Sequence, residues 1–401
     1  MKDRLWSFLA GFLLSVNIYV LPFLPTSPRG TDAAALLLGL WILGRLVRRR
    51  QPPWPLSLAL LAGLIPLIWL FFNILGKDQT TALASARWLV AVPWAVALAA
   101  LFRHEERSLD FARGLFVGGL VNVAVIVLQW LGLESILVLL GLSPSDASFH
   151  HFVFHQVRLP GLHGHHNSSS AVLSLMVPAG FVLYFRKRMG APALFGGLLA
   201  MMLALHLTST RSPLIIAILT VAFVTAQARR MRQGVMIGIF MLSILLPLLM
   251  VYGPPGGWAR WKNKEALISN ATERQDSGRG ALELCLEYPL GLGVEKSHQE
   301  LDSATGIKAA HNAFLQAALT WGLPFGFFVL LAYGVLIVRS FGGIAGGLFL
   351  PGALAFHTAG LFMFEEHLNN PTFVILTLFV MTAAYLRSGR SPADSPADNP
   401  S

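Results

Sequence analysis

Polar positions in this chain are interruptions in an apolar background. Runs of about 17 to 25 apolar residues recur along its whole length, each long enough to cross a hydrocarbon core about 30 Å thick. Inside lipid every backbone N–H and C=O must be satisfied within the segment, so such runs are helices. The pattern predicts spans near Leu5–Phe23, Ala33–Val47, Leu56–Leu75, Ala82–Phe102, Phe111–Leu131, Ser169–Phe185, Pro192–Leu207, Leu214–Gln227, Val235–Tyr252, Ala313–Val338, Ile344–Phe364 and Thr372–Leu386. The predicted fold is an all-α integral membrane protein with about twelve transmembrane helices. Residues 1–252 hold spans one to nine, with a loop near 132–168. A large, partly helical loop follows at 253–311, and residues 312–387 hold the last three spans. The end, 388–401, repeats Ser-Pro-Ala-Asp and has too few apolar residues to offset the entropy of ordering, so it reads as a disordered tail.

Composition excludes a soluble fold. Of 401 residues, 55% are hydrophobic and 12% charged, with a mean hydropathy of +0.62, whereas soluble domains carry roughly 25% charged residues. The net charge of +10 reports topology. Lys2/Arg4, Arg48–Arg50, Arg103/Arg107, Arg186–Arg188, Arg229/Arg230/Arg232, Arg339 and Arg387/Arg390 fall on alternate loops, which the positive-inside bias assigns to the cytoplasm. Both termini are then cytoplasmic, and the loops 132–168 and 253–311 lie outside. The first apolar segment lacks a small-residue cleavage site and reads as a retained span. Basic residues spread over helix ends do not form the stripe that nucleic acid requires. One cysteine, Cys285, excludes an internal disulfide and a thiolate metal cluster. The sequence has no phosphate-binding Gly-rich loop, so no nucleotide is expected as partner or cofactor.

Candidate chemistry concentrates on the outer side. The loop 132–168 has a short apolar stretch, Ser135–Leu142, suited to an interfacial helix, then six histidines between His150 and His166. Their spacing matches no closed metal motif, and a solvated or interfacial loop is the plainer reading. Asn167, followed by three serines, reads first as an N-cap, and free N–H groups at a helix start also suit an anion. Arg211, in Leu207-Thr-Ser-Thr-Arg-Ser-Pro213, and Arg87, near the outer end of its span, either snorkel to the interface or are retained against the charge bias for function. The large loop adds Arg260-Trp-Lys-Asn-Lys264, Arg274, Arg279, a helix-compatible Ala281–Glu287 stopped by Pro289 and Gly291, and His311-Asn-Ala-Phe-Leu-Gln316. Asn312 and Gln316 share a helix face. His311, beside several arginines, is the best candidate general base. Arginines at headgroup depth suit a lipid-linked pyrophosphate, and glycosyl transfer is the reaction in which charge builds on that leaving group.

In order and spacing, Arg158, Gly161 and Asn167, then Thr208-Ser-Thr-Arg211-Ser, then Arg274 ahead of Pro289-Leu-Gly-Leu-Gly293, then His311-Asn-Ala-Phe-Leu315, the chain resembles the O-antigen ligase and polymerase superfamily of bacterial envelope proteins. The resemblance spans roughly residues 155 to 330 by motif and the whole chain by topology. It implies a GT-C-like glycosyltransferase of the inner membrane, working on its periplasmic face without metal. Glycan would pass from undecaprenyl pyrophosphate to lipid A–core. By position, His311 would be the base, and Arg158, Arg211 and Arg274 the phosphate ligands; Asn167, Asn312 and, from its place near the outer end of a span, Arg87 are further candidate contacts. His166-Asn167 replaces the family's Pro-Asn, and the aromatic expected after Arg274 is missing, which makes Arg279 a rival to Arg274. An O-antigen polymerase and a protein O-oligosaccharyltransferase are the alternatives within the superfamily. A transporter or flippase is the alternative outside it, disfavoured by the lack of internal repeats and of midspan charge, His357 excepted.

Overall fold

The computed structural model describes residues 2–16, 18, 29–49, 54–76, 78–143, 159–208, 210–227, 264–341 and 349–384. Among them the chain is helical, with no strand. The helices are α1 (Lys2–Val16), α2 (Gly30–Arg49), α3 (Trp54–Gly76), α4 (Gln79–Leu101), α5 (Glu105–Trp130), α6 (Glu134–Leu139), α7 (His166–Ser174), α8 (Met176–Phe185), α9 (Ala191–Leu207), α10 (Ser212–Gln227), α11 (Lys264–Glu287), α12 (Val294–Thr305), α13 (Ala313–Trp321), α14 (Leu323–Ser340), α15 (Phe349–Phe362) and α16 (Pro371–Ala383). Four segments are long and apolar enough to cross a membrane: α4, α5, the α7–α8 pair from His166 to Phe185, and α14. Shorter apolar helices or helix segments, such as Arg4–Val16, Ala191–Leu207 and Pro371–Ala383, pack among them. The expected span Val235–Tyr252, together with Arg158, His150, His151, His155, Arg229, Arg230, Arg232, Arg260, Trp261, Lys262 and the tail 388–401, lies outside the described residues.

Two expected spans are broken, each for a local reason. Ser169–Phe185 divides at Leu175 into α7 and α8. Pro178 lies three residues on and has no N–H to continue the ladder. Ala313–Val338 divides at Gly322, whose φ of 103° no other residue adopts at ease, and Pro324 follows at the start of α14. The break is used. Gly291 and Gly293, also at positive φ, bring the segment 289–293 against it, where Leu292 N–H donates to Leu319 O, Gly293 N–H to Thr320 O, and Leu323 N–H to Pro289 O. A Cβ on Gly291 would press on the backbone of Gly322. The α11–α12 unit is thus hydrogen-bonded, backbone to backbone, onto the membrane helices.

Close approach also fixes α1 against α5. Gly114 and Gly118, one turn apart on α5, and Gly11 on α1 leave no room for a side chain: a Cβ on Gly114 would collide with Phe8 O, and one on Gly11 with Phe111 O. Small residues that let helix backbones touch are the usual device where lipid offers no hydrophobic drive to associate. Farther along the bundle, His357 of α15 is fully buried. Its Nδ1 meets Thr220 Oγ1 of α10, and its Nε2 meets Ser174 Oγ of α7, both at 2.8 Å. Ser174 already donates to Ala171 O, so the ring donates from Nε2 and accepts at Nδ1. That neutral tautomer makes the midspan histidine a helix tie.

The two ends of the bundle differ. At one end the basic helix termini meet acidic partners. Arg4 Nε is 2.7 Å from Asp110, Arg113 lies 3.1 Å from the same carboxylate, Arg186 is 2.8 Å from Glu105, and Arg188 pairs with Glu106. The start of α7, the Thr208–Arg211 turn, the start of α13 and the 365–370 turn lie at the opposite end.

Candidate functional site

Among the described residues, four segments converge at that opposite end. The first is the turn into α7. Gly161 (φ 60°) donates its N–H to Gln129 Oε1 at 2.9 Å, Leu162 N–H donates to Asn122 Oδ1 at 3.2 Å, and Ser169 Oγ accepts His163 N–H at 3.0 Å. A Cβ on Gly161 would press on Ser169 and Asn122. The helix begins two residues earlier than the sequence suggests: His165, extended, occupies the N-cap position, and Asn167 sits in the first turn of α7. The N-cap reading of Asn167 is therefore corrected, because the chain turns helical at the buried His166. Within the described part of the histidine tract, His163 is buried on Ser15 O and Asn370 Nδ2, whereas His165 is exposed.

The second segment is the Thr208–Arg211 turn. Thr208 Oγ1 accepts from Ser170 Oγ at 2.8 Å and lies 3.0 Å from Thr210 Oγ1, which ties this turn to α7. Burial, and then the like charge of Arg274, lowers the Arg211 guanidinium from its ordinary value. Two arginines held within electrostatic reach favour an anion between them.

The third is α11. Arg274 turns inward, its Nη1 donating to Phe364 O at 2.6 Å and its Nη2 to Glu365 Oε1 at 2.8 Å. Arg279, five residues on and so on another face of the helix, is exposed and pairs with Glu283 at 3.0 Å, one turn away. The structure brings Arg274 to the site and leaves Arg279 outside it.

The fourth is the Ala310–Asn312 turn with its partner, Glu365–Asn370. His311 adopts φ 48°, a left-handed conformation uncommon for a residue with a side chain. Its Nδ1 lies 3.7 Å from Glu365 Oε2, an ion-pair distance and longer than a hydrogen bond. Nδ1 is buried, and no hydrogen-bond partner meets it among the described residues. Asn312 is the N-cap of α13, its Oδ1 accepting from Phe314 N–H and Leu315 N–H at 3.0 and 3.1 Å, while Nδ2 faces Met363 Sδ at 3.8 Å. Gln316 points into the protein, bonded to Ser297 and Thr320.

Two adjacent carboxyls here have environments that push them apart. Burial pushes Glu365 up, but His311 and Arg274 more than reverse this and hold it at about 2. Burial pushes Glu366 up to about 7, and its bond from Ala310 N–H offsets this only in part. Burial also pushes the neighbouring His367 down to about 4. The two neighbours thus differ in charge near neutral pH, Glu365 ionised and Glu366 partly neutral. Neither Glu365 nor Glu366 is among the candidates drawn from the sequence. The available signal was Phe364-Glu-Glu-His-Leu-Asn-Asn370, a charged turn between two apolar runs on the same side as His311.

Arg87 does not join this group. It lies on α4 within electrostatic reach of Arg29 and Asp32.

Comparison with known families agrees with the motif order. Residues 196–331 match the family model described as O-antigen ligase. The matched part, roughly a third of the chain, contains Arg211, Arg274, Arg279, His311 and Asn312, and it supports membership of the O-antigen ligase/polymerase superfamily. No curated protein matches the chain.

Proposed function

From the match of residues 196–331 to the O-antigen ligase family, we propose that this protein is an O-antigen ligase, transferring a glycan from undecaprenyl pyrophosphate to lipid A–core at the periplasmic face of the inner membrane. The observation that carries the reading is the convergence of His311, Glu365, Arg274 and Arg211 at one end of the helix bundle.

His311 Nε2 takes the proton of the acceptor hydroxyl as its oxygen attacks the sugar C1. The imidazolium that forms is stabilised by Glu365, ionised across the working pH range because its carboxyl sits at about 2. The bond from C1 to the pyrophosphate oxygen breaks, and the negative charge that leaves with the pyrophosphate is held by Arg211 and Arg274. Arg274 has five N–H donors, so bracing Glu365 and Phe364 O leaves others for phosphate. The outer side of these residues follows from the charge bias of the alternate loops. Arg158, Asn167, Asn312 and Arg87 remain proposed substrate contacts; for Asn312 this lies beside its capping role.

The test is in-vitro transfer with purified protein, undecaprenyl-pyrophosphate-linked glycan and lipid A–core, without nucleotide, comparing wild type with His311→Ala and Arg211→Ala. Glycan on lipid A–core with wild type alone supports the ligase. Lengthening of the glycan on its own carrier makes the protein a polymerase. No glycan movement under any condition overturns the transferase reading.

A further inference from the structure

His311 faces Glu365 from a left-handed backbone conformation that an L-residue adopts only against steric resistance, so something has to fix the turn. Two side chains do so, one on each side of it. After His311, Asn312 is extended and its Oδ1 binds the first N–H groups of α13. Before it, the Ala310 N–H donates to Glu366 Oε1 at 2.9 Å, with Gln316 Oε1 a more distant acceptor at 3.4 Å. Glu366 follows directly on Glu365, the carboxylate that faces the His311 ring. One turn thus addresses both the His311 ring and the backbone N–H of the residue before it.

The surroundings of Glu366 fit a fixed acceptor. Beside it is a small cavity lined by the polar His298, Gln316 and Thr320 and the apolar Val294, Trp321 and Leu368. The titratable groups around it are Glu365 in its own turn, His311, and His298 of α12.

We propose that Glu366 is the positioning residue that holds the left-handed turn at His311, by accepting the Ala310 N–H. Its chemical requirement is an acceptor oxygen at that point. An amide supplies this as well as a carboxyl does, and a methyl group does not. The assignment of a purpose to the turn rests on His311 being the general base, as argued above.

The test uses the full-length protein in lipid nanodiscs and compares wild type, Glu366→Gln and Glu366→Ala by hydrogen exchange over residues 309–316 and by transfer kinetics. Glu366→Ala is expected to speed exchange at Ala310 by about tenfold, the loss of one hydrogen bond, and to lower kcat by about 10- to 100-fold with KM within about twofold, as misplacement of a catalytic group does. Glu366→Gln is expected to restore both to within about threefold of wild type. Unchanged exchange in Glu366→Ala overturns the proposal, because Gln316 then suffices. Equal losses in both variants overturn it too, because charge and not the acceptor would be what matters. If wild type moves no glycan, the transferase reading fails while exchange still decides whether Glu366 holds the turn.

Discussion

His311 Nδ1 and Glu365 Oε2 face each other at 3.7 Å, across 54 residues of sequence and from two different interhelical turns. Arg274, from a third element, braces the same carboxylate through its other oxygen at 2.8 Å. The imidazole therefore has a fixed anion behind it, and that anion has a fixed cation behind it.

Glu365→Gln should reduce kcat by about 100-fold, at the low end of what a general acid–base arrangement contributes, while KM for the lipid-linked donor stays within about twofold. Initial rates over a range of donor concentrations check this. A rise confined to KM, with kcat unchanged, would reassign Glu365 to donor binding.

The arginines of α11 should separate cleanly. Arg279→Ala removes an exposed pair one helical turn long, worth at most about 0.5 kcal/mol, so transfer should stay within about twofold of wild type. Arg274→Lys keeps the charge but loses the fork that spans Phe364 O and Glu365, and should cost at least about tenfold. The Arg274→Lys, Glu365→Gln double variant should lose less than the product of the single losses, since the two groups act together.

Stability should respond to pH in two separate windows. The Glu365 carboxyl is held at about 2, below its unfolded value of about 4.3. Its contribution is therefore present above about 4.3 and lost as pH falls through 2. Glu366, at about 7, favours the neutral form in the fold. Stability from it is full below about 4.3 and declines as pH rises through 7. Glu365, His311 and His298 are the titratable groups around it. Thermal unfolding followed between pH 4 and 8 (about the range of the second window) should show the decline in wild type and a flatter profile in Glu366→Gln.

Gly114→Val should lower the unfolding temperature sharply or prevent assembly, because its Cβ would occupy the position of Phe8 O and force α1 away from α5. Gly278→Ala, in an open position of α11, should be neutral or stabilising by up to about 1 kcal/mol. Circular-dichroism melts in detergent measure both, and equal behaviour of the two would dismiss the close-packed seam.

What the sequence determined by itself was the part governed by local periodicity and charge. Apolar runs marked helices such as α4 and α5 because an 18- to 26-residue apolar segment has few alternatives in lipid. Pro289 and Gly291 marked the end of α11, which stops at Glu287. Arg211 and His311 stood out because an arginine or histidine at a helix end in an apolar chain is a local anomaly, and Arg274 as one of the arginines of the large loop. What only the tertiary structure decided was pairing. Arg274 and Arg279 look alike in sequence, and only the face of α11 that meets the Phe364–Glu365 turn separates them. Glu365 and Glu366 read as one acidic dipeptide, yet one faces a guanidinium and an imidazole while the other faces a backbone N–H and a buried cavity. Burial raises Glu366, while His311 and Arg274, 54 and 91 positions away along the chain, hold Glu365 down, and neither setting leaves a trace in the residues beside them.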